Sequence, residues 1–173
     1  MKRVAVVYKS RYGSAKKYGQ WLGAGLGADF FDLSQVGAGQ LEAYDWVVFG
    51  GGLYAGTIKG LHRFLKLRSR NISIFTVGLY DPEIIDYEPI RKKNFSTRQL
   101  AEIRVFHLPG YCDYQQLSLP HKTMIFTMKK VLAKKPADEL SAEERVLLAS
   151  YGVETDLMDE KALEPMLDFL DKI

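Results

Sequence analysis

The apolar run VAVVY at residues 4–8 leads through a short polar turn, Ser10-Arg11-Tyr12-Gly13-Ser14, into a helical pattern that begins near Ala15. A strand that ends in such a turn and opens a helix directs backbone N–H groups and the positive end of a helix dipole at one point. Anions bind well at such a point, and a phosphate group is the natural occupant. This junction therefore predicts a β-strand–α-helix unit with a phosphate site at its turn.

Short apolar runs of this kind alternate with helical patterns along the whole chain, which is typical of strands buried on both faces of a parallel sheet. We predict strands at residues 3–8, 29–33, 46–49, 72–77 and 104–108. We predict helices from Ala15 to Gly25 or Gly27 and at residues 60–67, 95–103 and 161–170. The alternation predicts right-handed βαβ crossovers and an α/β fold, with a doubly wound parallel sheet and helices on both faces.

Composition limits the class of protein. With 173 residues, 47% hydrophobic and 26% charged, we expect one domain over residues 1–173 with a sizeable core. Cys112 is the single cysteine, so an intrachain disulfide is excluded and the cytoplasm is the simplest expectation. We expect no signal peptide, and no apolar run approaches the roughly 20 residues that span a bilayer.

Ligands of doubly wound sheets bind at the carboxyl ends of the strands, and two more glycine-bearing loops fall there. Gly50-Gly51-Gly52 precedes Leu53 and Tyr54, and Gly78-Leu79-Tyr80 follows the next strand. We interpret the triple glycine as allowing close approach of a flat ligand, with tyrosine rings covering it. Alternatively, the tyrosines are ordinary loop residues and Ser10 merely caps the first helix.

These three loops resemble the FMN-binding loops of the flavodoxin superfamily. The phosphate loop of that family is approximately Thr/Ser-x-Thr-Gly-x-Thr; Ser10, Gly13 and the helix start match it, whereas Tyr12 and Ala15 replace two hydroxyl residues. The resemblance implies a five-stranded sheet of order 2-1-3-4-5 and FMN as the cofactor. The implied cofactor-binding residues are Ser10, Arg11, Tyr12, Gly13, Ser14, Ala15, Gly52, Leu53, Tyr54, Ala55, Gly56, Gly78, Leu79, Tyr80, Gly110 and Tyr111.

A closer resemblance involves residues 50–56, the following helix and residues 108–114, with the sequence LPGYCDY. These segments resemble menaquinone-dependent protoporphyrinogen IX dehydrogenase and its flavodoxin-domain relatives. The resemblance implies an FMN-dependent oxidoreductase that oxidises a porphyrinogen in haem synthesis and passes the electrons to a quinone.

Roughly 50 residues separate the last predicted strand from the last predicted helix, where connections usually have about 2 to 6. We expect this helical insertion at about residues 111–158. Residues 117–135 contain five lysines and no acidic residue. Helical spacing puts Met124, Ile125, Met128, Val131 and Leu132 on one apolar stripe and Phe126 on the opposite face. Such a helix suits an anionic membrane or an acidic substrate; alternatively, its stripe packs on the sheet and its lysines are solvated.

A net charge of +3 and a pI near 8.8 disfavour a soluble flavodoxin carrier, which is expected to be strongly acidic. An electron-transfer protein and a flavin-free binding or regulatory module remain as alternatives. We expect no nucleic-acid partner and no metal, since His62, His107 and His121 are scattered without metal-ligand spacing. Each histidine is interpreted as a helix-surface, strand or loop residue.

Overall fold

A parallel sheet forms the centre of the computed structural model, which describes residues 2–79 and 86–172. Its strands are β1 (Val4–Lys9), β2 (Asp29–Asp32), β3 (Trp46–Tyr54), β4 (Thr57–Ile58), β5 (Ile72–Gly78) and β6 (Arg104–Pro109). The strand β4 is a short antiparallel partner of the end of β3, and the other five are parallel in the order β2-β1-β3-β5-β6. The predicted α/β fold and the order 2-1-3-4-5 are confirmed.

Helices follow the strands as the alternation predicts. They are α1 (Ser14–Leu26), α2 (Leu61–Phe64), α3 (Glu88–Asn94), α4 (Thr97–Glu102), α5 (Leu119–Leu132), α6 (Ala142–Ala149) and α7 (Glu164–Asp171). Gly27 ends α1 in the left-handed conformation, with φ of 58°. The helix predicted at residues 60–67 is shorter, and α3 was not predicted because its sequence, EPIRKKN, has only one buried apolar residue, Ile90.

The sheet is buried on both faces because successive strand residues point to opposite sides. Val7, Phe49 and Ile74 point to one face and pack with Phe64; Val6, Val48 and Phe75 point to the other and pack with Tyr18 and Met166. Two apolar layers therefore hold the sheet rigid and fix the positions of the loops at its carboxyl edge.

The triple glycine belongs largely to this packing, which differs from the interpretation as a ligand-approach loop. β3 continues through Gly50 and Gly51 in register with β5. A Cβ on Gly50 would lie 2.0 Å from the Phe75 ring, and one on Gly51 would lie 2.7 Å from the carbonyl oxygen of Lys59. The space beside Gly50 and Gly51 is thus occupied by other parts of the protein. Of the three glycines, Gly52 alone lies at the carboxyl edge of the sheet where a ligand is expected.

The insertion begins and ends on a small antiparallel sheet, which the sequence analysis did not predict. Strand β7 (Tyr111–Asp113) pairs with β8 (Glu154–Asp156), and α5 and α6 lie between them. Lys135, just after α5, forms an ion pair of 2.6 Å with Glu144 of α6. The predicted helical insertion therefore begins and ends at the same place, where its two terminal strands pair beside the parallel sheet.

Helix α5 has the predicted basic character, and its predicted apolar stripe is only partly buried. Leu132 is buried, and Phe126 is 43% exposed, as its position opposite the stripe predicts. Val131 was assigned to the apolar stripe, but it is 58% exposed. Met124 and Ile125 of the same stripe are half-buried, so the stripe is covered in part and is open to solvent at Val131. Among the described residues, no helix is both long and apolar enough to traverse a bilayer.

Candidate functional site

A cavity of about 460 Å³ opens at the carboxyl edge of the parallel sheet. The structure brings three predicted loops and the start of the insertion together around it. The predicted site residues on its wall are Ser10, Arg11, Tyr12, Ser14, Ala15, Gly52, Leu53, Tyr54, Ala55, Gly56, Gly78, Leu79, Gly110 and Tyr111. Gly13 lies in the same turn, and the predicted Tyr80 lies outside the described residues.

The turn before α1 exposes backbone N–H groups. Gly13 has φ of 98°, a left-handed conformation that favours glycine, and its N–H donates to Ser10 Oγ at 3.0 Å. The Lys17 N–H donates to the Gly13 carbonyl, so the three preceding helical N–H groups have no intrahelical acceptor. No side chain of the described residues caps this end, and its first turn has no acidic residue. The alternative that Ser10 caps the helix is not realised, and the helix end can accept an anion.

Ser14 uses its hydroxyl group to join the turn to the insertion. The Tyr111 N–H donates to Ser14 Oγ at 3.2 Å, and Ser14 Oγ lies 3.5 Å from the Tyr111 carbonyl oxygen. The side chain is therefore engaged with strand β7. The group that Ser14 offers to the cavity is its backbone N–H.

An aromatic cluster of Tyr12, Tyr54 and His121 covers one side of the cavity. The rings of Tyr54 and His121 stack with centroids 5.1 Å apart and planes 15° apart, and Tyr12 meets Tyr54 edge-on at 6.2 Å. Tyr12 Oη lies 2.7 Å from His121 Nδ1 and accepts a hydrogen bond from the Ser118 N–H at 3.3 Å. The cluster thus ties the turn before α1 to the first turn of α5.

Burial favours the neutral forms of two ionisable side chains on this wall, Tyr54 and Cys112. It raises the pKa of the Tyr54 phenol to about 12, with a smaller contribution from Tyr12. It also raises the pKa of the half-buried Cys112 thiol, and the nearby Asp113 carboxylate adds to this effect. Tyr54 therefore presents a protonated, largely apolar ring, and Cys112 is a thiol at neutral pH.

The second loop is a tight hairpin tip. Ala55 has φ of 48° and Gly56 has φ of 73°, so two successive residues adopt the left-handed conformation. Helix α3 fixes this tip, because Lys93 Nζ donates to the Ala55 carbonyl and Asn94 Nδ2 to the Gly56 carbonyl, both at 2.7 Å. This anchoring holds the adjacent Tyr54 ring in the cavity wall.

The third loop rests on a buried polar network that the sequence analysis did not predict. A Cβ on Gly78 would lie 3.0 Å from His107 Cε1. His107 Nδ1 lies 2.9 Å from Thr76 Oγ1 and 2.5 Å from Tyr87 Oη, and the two hydroxyl groups also contact each other. His107 is thus a strand residue, as predicted, and it supports the base of the third loop.

Comparison with known families assigns the architecture. The model of the flavodoxin domain family matches residues 5–139, which include every described loop of the cavity wall and α5. The chain belongs to the flavodoxin domain family. A search of curated proteins found no match.

Solved structures with a similar chain path are distant in sequence from this flavodoxin domain. A putative flavoprotein from Bacteroides eggerthii has 12% identity and a TM-score of 0.46, covering 62% of this chain and 86% of that chain. A flavodoxin from the domain Archaea has 14% identity and a TM-score of 0.42, covering 61% and 84%. A flavoprotein in complex with FMN from Lactobacillus acidophilus has 12% identity and a TM-score of 0.43, covering 62% and 91%.

The insertion of this flavodoxin domain adds apolar side chains to the cavity wall. Its contributing side chains are Leu117, His121, Met124, Ile125, Met128 and Leu147. Met124, Ile125 and Met128 belong to the helical stripe of α5 that was interpreted as a membrane or packing face. The pattern identified an apolar face of α5, but it carried no information on what that face contacts.

The described residues contain no group of three or more His, Cys, Asp or Glu side chains arranged to hold a metal ion. His62 is exposed on α2, His107 is buried under the third loop and His121 faces the cavity. The three histidines therefore lie in different environments.

Proposed function

We propose that this flavodoxin domain is an FMN-dependent oxidoreductase whose cofactor binds in the cavity at the carboxyl edge. The observation that carries the proposal is the uncapped N-terminus of α1, after left-handed Gly13, at the same cavity as the half-buried Tyr54 ring. An anion site and an aromatic wall are what a phosphate joined to a flat ring system requires. Membership of the family supports FMN as the cofactor.

Each part of the site has a separate role in this proposal. The turn from Ser10 to Ala15 holds the phosphate through backbone N–H groups and the dipole of α1. Residues 52–56, 78–79 and 110–111 would surround the ring, with Tyr54 against one face. When bound, FMN supplies the electron transfer, and the protein orients it and excludes water from it.

An enzyme fits this structure better than a free electron carrier. The insertion places Met124, Ile125 and Met128 beside the predicted flavin loops, so a second apolar molecule has a wall to contact. The net charge of +3 also differs from the strongly acidic surface expected of a soluble carrier.

We extend the proposal to a porphyrinogen as electron donor and a quinone as acceptor. The donor gives up two electrons and two protons in each turnover, and the quinone takes up the same number to become a quinol. Support comes from the resemblance of the loops at residues 50–56 and 108–114 and from the apolar wall. Exposed lysines on α5 suit the carboxylates of a porphyrinogen.

We also propose that α5 contacts an anionic membrane surface from the cytoplasmic side, because a quinone resides in the bilayer. Leu119 is 77% exposed, Val131 is 58% exposed and Phe126 is 43% exposed. Lys130 Nζ lies 4.5 Å from the centroid of the Phe126 ring, so apolar and positive groups share this surface. Such a surface binds lipid through buried apolar area and attraction to anionic headgroups.

The direct test is a titration of the purified chain with FMN. We expect one FMN per chain, a visible flavin absorption band that survives desalting, and loss of that band on reduction with dithionite. A colourless protein that does not bind added FMN would contradict the proposal and favour a flavin-free binding or regulatory module.

A further inference from the structure

Tyr12 occupies the phosphate turn without offering its hydroxyl group to a ligand. Its oxygen accepts a hydrogen bond from the Ser118 N–H at 3.3 Å and lies 2.7 Å from His121 Nδ1. The Tyr12–His121 bond can form with either group as donor, and we assign the hydroxyl as donor because a phenol O–H is a stronger donor than an imidazole N–H and an imidazole nitrogen is a stronger acceptor than a phenol oxygen. Neutral His121 consequently carries its own hydrogen on Nε2.

The His121 ring is held on three sides. Tyr54 stacks on its face, Tyr12 contacts it edge-on with centroids 5.8 Å apart, and the bond to Nδ1 sets its rotation. The ring belongs to the cavity wall, and no hydrogen bond of Nε2 to another described residue is present. His121 thus has one fixed donor, its Nε2–H, left for a ligand.

The surroundings of His121 are positively charged. Burial lowers the pKa of its imidazole, and the nearby cations Arg11 and Lys59 lower it further. The other titratable side chains that contact the His121 ring are the phenols of Tyr12 and Tyr54. A neutral donor in positive surroundings, on the wall that also contains Ser14 and Ala15 of α1, favours a multiply charged anion over a carbonyl group.

We propose that His121 is a phosphate-binding residue of the FMN site, with Tyr12 as its positioning residue. This inference rests on the proposed function. Tyr12 replaces a hydroxyl residue of the family's loop, and the donor is supplied from α5 through His121. The phosphate is then held by α1 N–H groups from one element and by the His121 Nε2–H from another.

The test compares FMN with riboflavin, which has the same ring system and no phosphate. Dissociation constants for both flavins are measured by fluorescence titration for the wild type, His121→Phe, His121→Gln and Tyr12→Phe. Phenylalanine keeps the stack on Tyr54 but removes the donor. Glutamine keeps a donor close to the Nε2 position. Thermal unfolding followed by circular dichroism identifies any variant that has lost the fold.

We expect His121→Phe to weaken FMN binding about tenfold or more, the effect of a lost hydrogen bond to a charged group, and riboflavin binding less than about twofold. His121→Gln should recover most of the FMN affinity, and Tyr12→Phe should show a smaller loss that is also confined to FMN. If wild type binds FMN and His121→Phe leaves its affinity unchanged or weakens both flavins equally, the inference is overturned while the proposed function stands. If His121→Phe does not fold, Tyr12→Phe decides, with His121→Gln as the folded reference. A loss of affinity confined to FMN in Tyr12→Phe supports the inference, and unchanged affinity or an equal loss for both flavins overturns it. Wild type that binds neither flavin would overturn both.

Discussion

Gly13 is the residue on which the phosphate turn depends, because its φ of 98° is strained for most side chains. Asn and Asp tolerate this conformation best, and a Cβ here would meet nothing within 4 Å. The substitutions Gly13→Asn and Gly13→Asp therefore form a pair of matched shape that differs in charge.

We predict that Gly13→Asp binds FMN at least about tenfold more weakly than Gly13→Asn, since about 1.4 kcal/mol of charge repulsion corresponds to that factor. Both variants should unfold at similar temperatures. Isothermal titration with FMN gives the affinities. Equal affinities in the two variants would show that the phosphate does not approach this turn.

Tyr54 is predicted to cover one face of the flavin ring. Tyr54→Ala should weaken FMN binding and raise the fluorescence of bound flavin, because an aromatic quencher is removed. The control is Tyr54→Phe, which keeps the ring and should keep the quenching. Fluorescence yield is compared at full loading, and an unchanged yield in Tyr54→Ala would identify Tyr54 as a loop residue without flavin contact.

His121 provides a charge-sensitive probe of the same wall. Nearby positive charge disfavours its imidazolium form, so Arg11→Met should raise the pKa of His121 toward its ordinary value. Lys59→Met should act in the same direction with a smaller effect. NMR titration of the His121 ring protons in the unliganded protein measures both shifts. A pKa that stays constant or falls in Arg11→Met would contradict this arrangement of charges.

At the scale of elements, the strands and α1 follow from the sequence because their information is local. Val4 to Tyr8 is apolar on both faces and the next turn contains Gly13, so strand, turn and helix start are all specified within about a dozen residues. The contact of Tyr12 with His121 joins residues 109 positions apart. Neither the sequence around Tyr12 nor the sequence around His121 indicates that the two side chains contact each other.

The insertion shows the same limit. Strands β7 and β8 have three residues each and pair across more than 40 positions, so neither has a period long enough to recognise. The helical period of α5 was visible, but its apolar residues face a cavity as well as solvent. The buried network of Thr76, Tyr87 and His107 was likewise invisible, because it joins three separate elements.

Helix α5 carries the prediction on membrane contact. Lys122 donates to the Gln115 carbonyl at 2.7 Å and Lys129 lies 3.8 Å from the Tyr151 ring centroid, so both lysines also support the insertion. Lys130 and Lys134 are exposed and better suited to charge reversal. The double substitution of Lys130 and Lys134 with Glu should reduce binding to anionic vesicles while FMN content stays constant.

The matched control reverses two exposed lysines elsewhere, Lys66 and Lys172, and changes the net charge equally. Sedimentation with vesicles of phosphatidylserine and phosphatidylcholine measures binding, which should weaken in the wild type as salt rises. Equal loss of binding in both double variants would indicate a nonspecific effect of net charge. A wild type that ignores anionic vesicles at low salt would remove the membrane part of the proposal.

At the scale of the whole molecule, a flavodoxin domain provides a rigid sheet edge and the insertion adds a wall to it. The two apolar layers fix the loops at the carboxyl ends, and the β7–β8 pair returns the insertion to that edge. The phosphate turn and the insertion share the Ser14–Tyr111 and Tyr12–His121 contacts. Residues of the flavodoxin fold and residues of the insertion therefore line the cavity together.

The most direct measurement of this account is a crystal structure of the chain with FMN bound. The account predicts the phosphate within hydrogen-bond distance of the backbone nitrogens of Ser14 and Ala15, and the flavin ring against Tyr54 in the cavity walled by α5. A structure in which FMN binds away from the carboxyl edge, or in which its phosphate does not contact the turn before α1, would contradict it.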